Sequence, residues 1–384
     1  TSDDCGHESA LAAMSKELAD TYEQINLLYK LGRSMNWLTK PRDFVNMACR
    51  LLLDTLQLTW LAVKSSRPDA PGVEMAFDLA VAGQLPCPRE EFDALAAKIL
   101  EEIRGDQGTM LLDPAEHDLA ARVDSQVIAE PVMSAGRVAA LILAGGKTGP
   151  DPEATSYDVQ LLDATADYLG AFLHNVTLYT QQREMFLGTI RALTAAIDAK
   201  DRYTRGHSER VALTASALAR ACGFEDEKVE TVRIAGLVHD VGKIGVPGAV
   251  LRKPGRLSDS ELEQIKSHPR IGHNILKDIA ALKEVLPGVL YHHEWWDGKG
   301  YPEGLSGMKI PQIARILALA DAFDAMSSAR SYRAALSRAQ VIGEITKFDG
   351  IQFDPELAKI FVTLDFSEYD ALVDRHLVRE SKAA

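Results

Sequence analysis

The sequence predicts two domains: an N-terminal α+β domain with an antiparallel sheet and, after a long connecting helix, an all-helical C-terminal domain. Strand-like runs separated by turn residues occur only between about residues 58 and 143, whereas nearly every segment after residue 202 has helical periodicity. The length of 384 residues suits two or three domains. The expected boundaries are 1–34 for an N-terminal helix, 35–150 for the α+β domain, 151–200 for the connecting helix and 201–384 for the helical domain.

The N-terminal part alternates between helical and strand-like patterns. Helices are predicted from apolar spacing over 8–34, 43–55 and 90–104. Strands are predicted from alternation and flanking turn residues over 58–64, 73–81, 109–112, 125–133 and 137–143. The tripeptide 134–136, Ser-Ala-Gly, is typical of the turn of a hairpin between the last two strands. This order of elements resembles a GAF-type sensory domain, which implies an unknown ligand; the alternative is a dimerisation module without a ligand.

A long helix is predicted between the two domains. Residues 153–200 contain no Pro, and their only glycines are Gly170 and Gly188. Apolar residues form a stripe that moves around the helix, as in helices that pair with a second copy. We therefore expect a homodimer formed through the N-terminal and connecting helices. The alternative is two ordinary consecutive helices.

The composition argues against several classes of protein. No apolar run approaches the ~20 residues that a membrane span needs, so no membrane span is expected. The four cysteines lack paired spacing, which argues against a disulfide scaffold and a zinc ribbon. A net charge of −13 argues against nonspecific nucleic-acid binding. No signal-peptide pattern is visible, so a cytoplasmic protein is expected. The chain begins with Thr1 rather than Met, so an additional segment before it stays an open alternative.

Polar residues in apolar helices point to a metal site. His239 and Asp240 end a helix that is apolar nearly all round, which is typical of a buried helix. Burying such a pair is costly unless both residues are paired or coordinate a metal. Asp321 lies in an apolar stripe in the same way, where an internal salt bridge is the alternative. His292 and His293 are adjacent, so both can reach one site only at a helix end or bend.

The candidate ligands form a set of seven side chains, which are His207, His239, Asp240, His268, His292, His293 and Asp321. Seven ligands are too many for one zinc ion and suit two six-coordinate ions that share a carboxylate. Imidazole and carboxylate ligands fit iron, manganese, nickel or zinc. Two ions about 3.5–4 Å apart would activate water and clamp phosphoryl oxygens.

The motifs around these ligands resemble the HD-GYP subclass of HD-domain phosphohydrolases over about residues 190–365. They occur in order as His239-Asp240 with Gly242-Lys243, His268-Pro269, His292-His293-Glu294, Gly300-Tyr301-Pro302 and Ala320-Asp321 to Met326. The resemblance implies an all-helical domain that hydrolyses cyclic di-GMP to pGpG and, in some members, to GMP. It also makes a GGDEF-type protein a candidate partner.

The resemblance implies a role for each candidate residue. One metal would take His207, His239, Asp240 and Asp321, and the other would share Asp240 and take His268, His292 and His293. The catalytic residues would be His239, Asp240 and Lys243, and the substrate-binding residues Lys243, Tyr301, Arg330 and Arg333. Two ions, iron or manganese, are expected, because Tyr203 stands where members with a third metal have Glu.

Two alternatives to a cyclic di-GMP phosphodiesterase stay open. One is an HD phosphohydrolase that acts on another nucleotide or cyclic dinucleotide. The other is a cyclic dinucleotide receptor or adaptor with little turnover. The intact ligand set favours an enzyme, and we expect the N-terminal domain to regulate it through the long helix.

Overall fold

The structure is a computed structural model. It describes residues 14–15, 18–19, 21–22, 24–33, 41–66, 77–106, 108–148, 152–200, 206–253, 255–328 and 335–383. Among these residues, no helix is both long and apolar enough to cross a membrane. The chain divides into two compact units, Thr1–Met185 and Phe186–Ala384.

The first unit contains a five-stranded antiparallel sheet in the order β2-β1-β5-β4-β3. Its strands are β1 (Leu58–Ser65), β2 (Leu79–Gly83), β3 (Met110–Leu112), β4 (Val127–Ser134) and β5 (Arg137–Lys147). The predicted hairpin is confirmed: Ser134 pairs with Arg137. Ala135 and Gly136 have φ angles of 50° and 73°, as the two central residues of a tight hairpin turn require.

Helices cover both faces of this sheet. They are α1 (residues 24–33), α2 (Pro41–Thr55), α3 (Arg89–Asp106), α4 (Asp118–Val123) and the first part of α5 (Ser156–Lys200). One core lies between the sheet and α1, α2 and α5, around Phe44, Ile142 and Phe172. A second core lies between the other face and α3 and α4, around Trp60 and Phe92. The predicted α+β unit with an antiparallel sheet is therefore present.

Helix α5 is one continuous helix of 45 residues. The alternative of two consecutive helices was wrong. Gly170 lies inside this helix and permits a close approach to β4: a Cβ atom there would lie 2.1 Å from the carbonyl oxygen of Met133. The residues up to Met185 belong to the first unit, and those from Phe186 to Lys200 belong to the second.

Glu130 is a buried carboxyl group on β4, with only 3% of its surface exposed. Burial raises its pKa to about 7, against the opposing hydrogen bond from Thr109, and Asp163 and Asp167 raise it further. The folded state therefore holds this proton more tightly than the unfolded chain does. Stability should fall as pH rises from about 4.5 to about 7 and then stay level.

A Glu130→Gln variant should remove this pH dependence because an amide does not ionise. The pKa change from 4.5 to about 7 corresponds to at most about 3 kcal/mol at about 1.4 kcal/mol per unit. Thermal unfolding should therefore show the variant more stable than the wild type at pH 8 and nearly equal at pH 5. Equal differences at both values would contradict a titrating Glu130. Asp54→Asn, at an exposed position on α2, is the control.

The second unit is helical. After the end of α5 come α6 (His207–Ala221), α7 (Asp226–Val238), a 3₁₀ turn (Val241–Gly245), α8 (Gly248–Leu251), α9 (Asp259–Lys266), α10 (His268–Leu276), α11 (Leu286–Tyr291), α12 (Gln312–Ser327), α13 (Arg338–Lys347), α14 (Pro355–Phe361) and α15 (Ser367–Ala383). Short 3₁₀ turns also occur at Ala280–Leu282 and Gly307–Lys309. Its core includes Val238, Leu317 and Phe323. Since α7, α11 and α12 all contribute to this core, their ends are held in fixed positions around one region.

Candidate metal centre

The seven predicted ligands come from helix ends and from one helix interior. His207 is the first residue of α6, and His268 is the first residue of α10. His239 and Asp240 directly follow α7, and His292 and His293 directly follow α11. Asp321 lies within α12. The predicted bend at His292 is confirmed, since α11 ends at Tyr291.

The structure brings His207, His239 and Asp321 together as one group. One ligand atom of each lies within 4.8 Å of those of the other two. Nε2 of His207 is 3.2 Å from Oδ1 of Asp321, and the rings of His207 and His239 have centroids 5.3 Å apart. Two imidazoles and a carboxylate at these distances can bind one ion.

A second group consists of His268, His292 and His293, whose ligand atoms also lie within 4.8 Å of one another. The Nε2 atoms of His268 and His292 are 3.3 Å apart. The ring of Tyr301 stacks on His293, with centroids 4.8 Å apart and planes at 30°. Three imidazoles therefore converge on a second point, and Tyr301 covers one of them.

Asp240 lies between the two groups. Its Oδ1 is 3.3 Å from Nε2 of His268, and its Oδ2 is 3.5 Å from Nε2 of His239 and 3.7 Å from Nε2 of His207. The same Oδ2 accepts from Nζ of Lys243 at 2.7 Å. A carboxylate with one oxygen toward each group can bridge two ions, and Lys243 places an ammonium group beside it.

Three of the histidines are oriented by carbonyl groups of the main chain. In each case Nδ1 donates to the carbonyl three residues earlier, in the last turn of a helix. The pairs are His239 with Gly236 at 2.8 Å, His268 with Ile265 at 2.8 Å and His292 with Val289 at 2.9 Å. In the neutral form of each ring, Nε2 then carries no hydrogen atom and faces the cluster. The negative ends of the dipoles of α7, α9 and α11 favour a cation there, whereas the positive ends of α6 and α10, whose first residues are His207 and His268, oppose it.

His207 is oriented by a side chain. Its Nδ1 donates to Oδ2 of Asp324 at 2.7 Å. Asp324 also accepts from Arg210 at 2.6 and 3.0 Å and from the hydroxyl of Tyr369 at 2.7 Å. This buried carboxylate thus connects α6, α12 and α15 behind the ligand group.

The electrostatic state of the cluster suits a metal ion. Burial would raise the pKa of Asp240, but Lys243 and the imidazoles lower it well below its usual range, so it is ionised. Burial and the neighbouring His268 lower the pKa of His293 to about 3, so its ring is neutral. Burial opposes protonation of His207, yet Asp321 and Asp324 raise its pKa to about 10. Acidic groups that hold a proton on His207 also attract a cation to the same nitrogen.

The surroundings of His239 show whether the clustered side chains suit a metal ion. Among the described residues, its Nε2 is a buried nitrogen with no hydrogen-bond partner. Buried polar atoms are nearly always satisfied, so this lone pair needs a ligand. An imidazole nitrogen that faces other imidazoles and ionised carboxylates is matched by a divalent cation. The donor set therefore fits bound metal.

Residues 191–357 match the family model described as HD domain. This segment is an HD domain. The seven clustered side chains and Tyr301 all lie within it. Arg330 and Arg333 also fall in the matched range but lie outside the described residues, as does Tyr203.

Relatives of the HD domain are named phosphodiesterases of cyclic dinucleotides. The chain is 33% identical over 216 residues to 3'3'-cGAMP-specific phosphodiesterase 2 of Vibrio cholerae, covering 56% of this chain and 41% of the relative. It is 39% identical over 170 residues to the cyclic di-GMP phosphodiesterase response regulator RpfG of Xanthomonas campestris, covering 44% and 45%. It is 34% identical over 189 residues to a cyclic di-GMP phosphodiesterase of Thermotoga maritima, covering 49% and 51%. The alignments thus span about half the length of these relatives.

The structure adds two residues of the HD domain to which the sequence assigned no role. Asp324 lies three residues after Asp321 on α12. The sequence feature that could have identified Asp324 is the one that identified Asp321, a carboxylate in an apolar helix. Glu294 is buried and accepts from the N–H groups of residues 303, 304 and 305 at 2.7, 3.1 and 3.0 Å. Glu294 thereby holds the loop that carries Tyr301. In the sequence, Glu294 was visible only as the residue that follows two histidines.

Proposed function

We propose that the chain is a metal-dependent phosphodiesterase that hydrolyses cyclic di-GMP to pGpG, with GMP as the alternative end product. The observation that carries this is the pair of three-residue ligand groups joined by Asp240, within a segment related to cyclic dinucleotide phosphodiesterases. Two adjacent ion positions suit in-line displacement at a phosphodiester. A cytoplasmic location is part of the same proposal.

The residues divide between two ions, iron or manganese. His207, His239 and Asp321 would hold one, and His268, His292 and His293 the other, with Asp240 shared. When bound, such ions supply Lewis acidity toward phosphoryl oxygens and generate a nucleophile from water near neutral pH. A third metal is not proposed because Tyr203 replaces Glu.

The remaining residues bind and orient the substrate. Lys243, held by Asp240, would contact a non-bridging phosphate oxygen. Tyr301 would line the pocket and exclude water from the side of His293. Arg330 and Arg333 are proposed to hold the second phosphate or a guanine, since guanidinium groups match both.

A chromatographic hydrolysis assay tests the proposal. Protein loaded anaerobically with Fe(II) or Mn(II) is given cyclic di-GMP and, separately, 3'3'-cGAMP. We expect pGpG or GMP from the wild type and no product from His239→Ala or Asp240→Ala. Product from 3'3'-cGAMP alone would replace the proposed substrate. No product with either, from protein shown to hold two ions, would contradict the enzyme and leave the receptor alternative, which binding of cyclic di-GMP without turnover would establish.

The first unit is proposed to be a GAF-like sensory domain, with an unknown ligand, that acts through α5 as the connecting helix. The five-stranded antiparallel sheet with helices on both faces supports this. A chain starting near Gln181 should therefore lose any response of hydrolysis to ligand. Full activity and full response in that truncated chain would exclude this control, and a GGDEF-type partner stays a prediction.

A homodimer through the N-terminal helix is proposed from an exposed apolar stripe. Its members lie three or four residues apart and are 60–74% exposed: Met14, Leu18, Tyr22, Ile25 and Tyr29. Leu27 and Leu31, on the other side of the helix, are buried in the core of the unit. A stripe of this spacing is the seam of a coiled coil, and a second copy supplies the matching stripe. Leu178 and Met185 on α5 are also exposed.

The variant Ile25→Glu/Tyr29→Glu should be a monomer, because charges in such a seam are desolvated without partners. Light scattering after size exclusion measures the mass. Leu262→Glu, at an exposed leucine on α9 in the second unit, should leave the mass unchanged. A dimer that persists in the double variant would place the interface elsewhere.

A further inference from the structure

The last two turns of α5 contact the segments that carry ligands of the first group. The Oγ1 atom of Thr194 donates to the carbonyl of Leu237 at 3.0 Å, two residues before His239. Oδ2 of Asp198 accepts from the N–H of Gly206 at 2.9 Å, directly before His207. Both side chains are buried. Each contact therefore fixes the main chain next to a ligand.

Lys200, the last residue of α5, contacts the turn after Asp240. Its Nζ donates to the carbonyls of Ile244 at 2.6 Å, Val246 at 2.8 Å and Lys243 at 3.4 Å. An ammonium group has three hydrogens, and here three carbonyl oxygens surround it. Its positive charge also lies at the C-terminal end of the 3₁₀ turn, where such charge is favourable. Lys200 thus holds the turn that begins after Asp240 and includes Lys243.

We propose that Asp198 is a positioning residue for the ion held by His207, His239 and Asp321, and that Lys200 positions Asp240, the ligand that both ions share. They touch no ligand atom and act through the main chain at residues 206 and 243–246. His207 directly follows residue 206, whereas the turn held by Lys200 directly follows Asp240 and packs against α10, where Gly242 lies close to the carbonyl of His268. The second ion position, at His268, His292 and His293, lies at the start of α10 and after the end of α11. A change at Asp198 should therefore affect the first position alone, whereas a change at Lys200 should affect both.

The inference rests on the proposed ligand assignment but not on turnover. The metal-free 384-residue chain is titrated with Mn(II), and free Mn(II) is measured by electron paramagnetic resonance. The wild type should bind two ions. Asp198→Ala should bind one ion as the wild type does and the other about 10–100-fold more weakly, the usual effect of removing an orienting contact, whereas Lys200→Met should bind both ions more weakly.

Conservative variants separate positioning from general stability. Asp198→Asn keeps an oxygen that accepts from Gly206, and Lys200→Arg keeps a cation that donates to the same carbonyls. Both variants should bind the ions with affinities close to those of the wild type. Thr180→Val, which removes only a bond to the carbonyl four residues earlier on α5, and Lys359→Met, which removes a surface ion pair, should have no effect.

Several results would overturn the inference. Wild-type affinities for both ions in Asp198→Ala and Lys200→Met would do so. So would equal weakening of both steps in Asp198→Ala, or a lower unfolding temperature of either metal-free variant, since these results describe a structural role. Fewer than two ions in the wild type would remove its premise. If the wild type binds two ions and the variants show the expected affinities, but neither dinucleotide is hydrolysed, the inference stands while the proposed function fails.

Discussion

Asp240→Asn is expected to lower kcat for cyclic dinucleotide hydrolysis at least about 10³-fold. Asp240 directs one oxygen toward each ligand group, at 3.3 Å from His268 and 3.5 Å from His239. An amide has the same shape but no negative charge, so it cannot serve as a shared anionic ligand. Metal-assisted catalysis contributes several kcal/mol, and each ~1.4 kcal/mol changes a rate tenfold.

The variant should also lose the ion pair with Lys243, whose Nζ is 2.7 Å from Oδ2 of Asp240. Single-turnover hydrolysis at saturating substrate measures the effect, with metal content determined on the same samples. Asp278→Asn, at an exposed position beyond α10, should retain full activity. A loss of less than tenfold with two ions still bound would show that Asp240 is not shared between them.

Asp324→Ala is expected to reduce both stability and metal affinity. The carboxylate is 1% exposed and pairs with Arg210, which is also buried. Burial would raise the pKa of Asp324, but His207 and Arg210 lower it to about 2, so it is an anion at neutral pH. Removing one partner of a buried ion pair typically costs about 3–5 kcal/mol. The free energy of unfolding, from denaturant titration of metal-free protein, should fall by this order.

A double variant separates the two effects of Asp324. In Asp324→Leu/Arg210→Met the unmatched buried charge is absent, so much of the lost stability should return. The hydrogen bond to Nδ1 of His207 stays absent, so affinity for the first ion should remain about 10–100-fold weaker. Recovery of both properties together would show that Asp324 acts only on stability. Loss of neither in Asp324→Ala would show that the contact at 2.7 Å is not significant.

The burial of candidate ligands such as His239 and Asp240 could be predicted from sequence because the signal is local. A histidine or carboxylate in an apolar helix, as at His239 or Asp321, is costly unless it is paired, and this is visible within a few residues. The hairpin at Ala135 and Gly136 was predictable for the same reason. The predicted domain boundaries and ligand roles stay predictions.

The supporting contacts could not be predicted because they join distant parts of the chain. Arg210 and Asp324 are 114 residues apart, and Lys200 contacts main-chain carbonyls whose positions depend on tertiary packing. The continuity of α5 was left open because glycine is a poor helix former. At Gly170 the close approach of β4 makes glycine necessary, which the sequence of the helix alone cannot show.

The carbonyl groups that orient three of the histidines have an evolutionary consequence. A point mutation can delete a side chain, but every residue retains a carbonyl, so the acceptors at positions 236, 265 and 289 persist through sequence drift. His207 alone of these four histidines depends on an acceptor that one nucleotide change can remove. We expect sequence divergence among functional descendants of this chain to be wide at positions 265 and 289 and narrow at position 324.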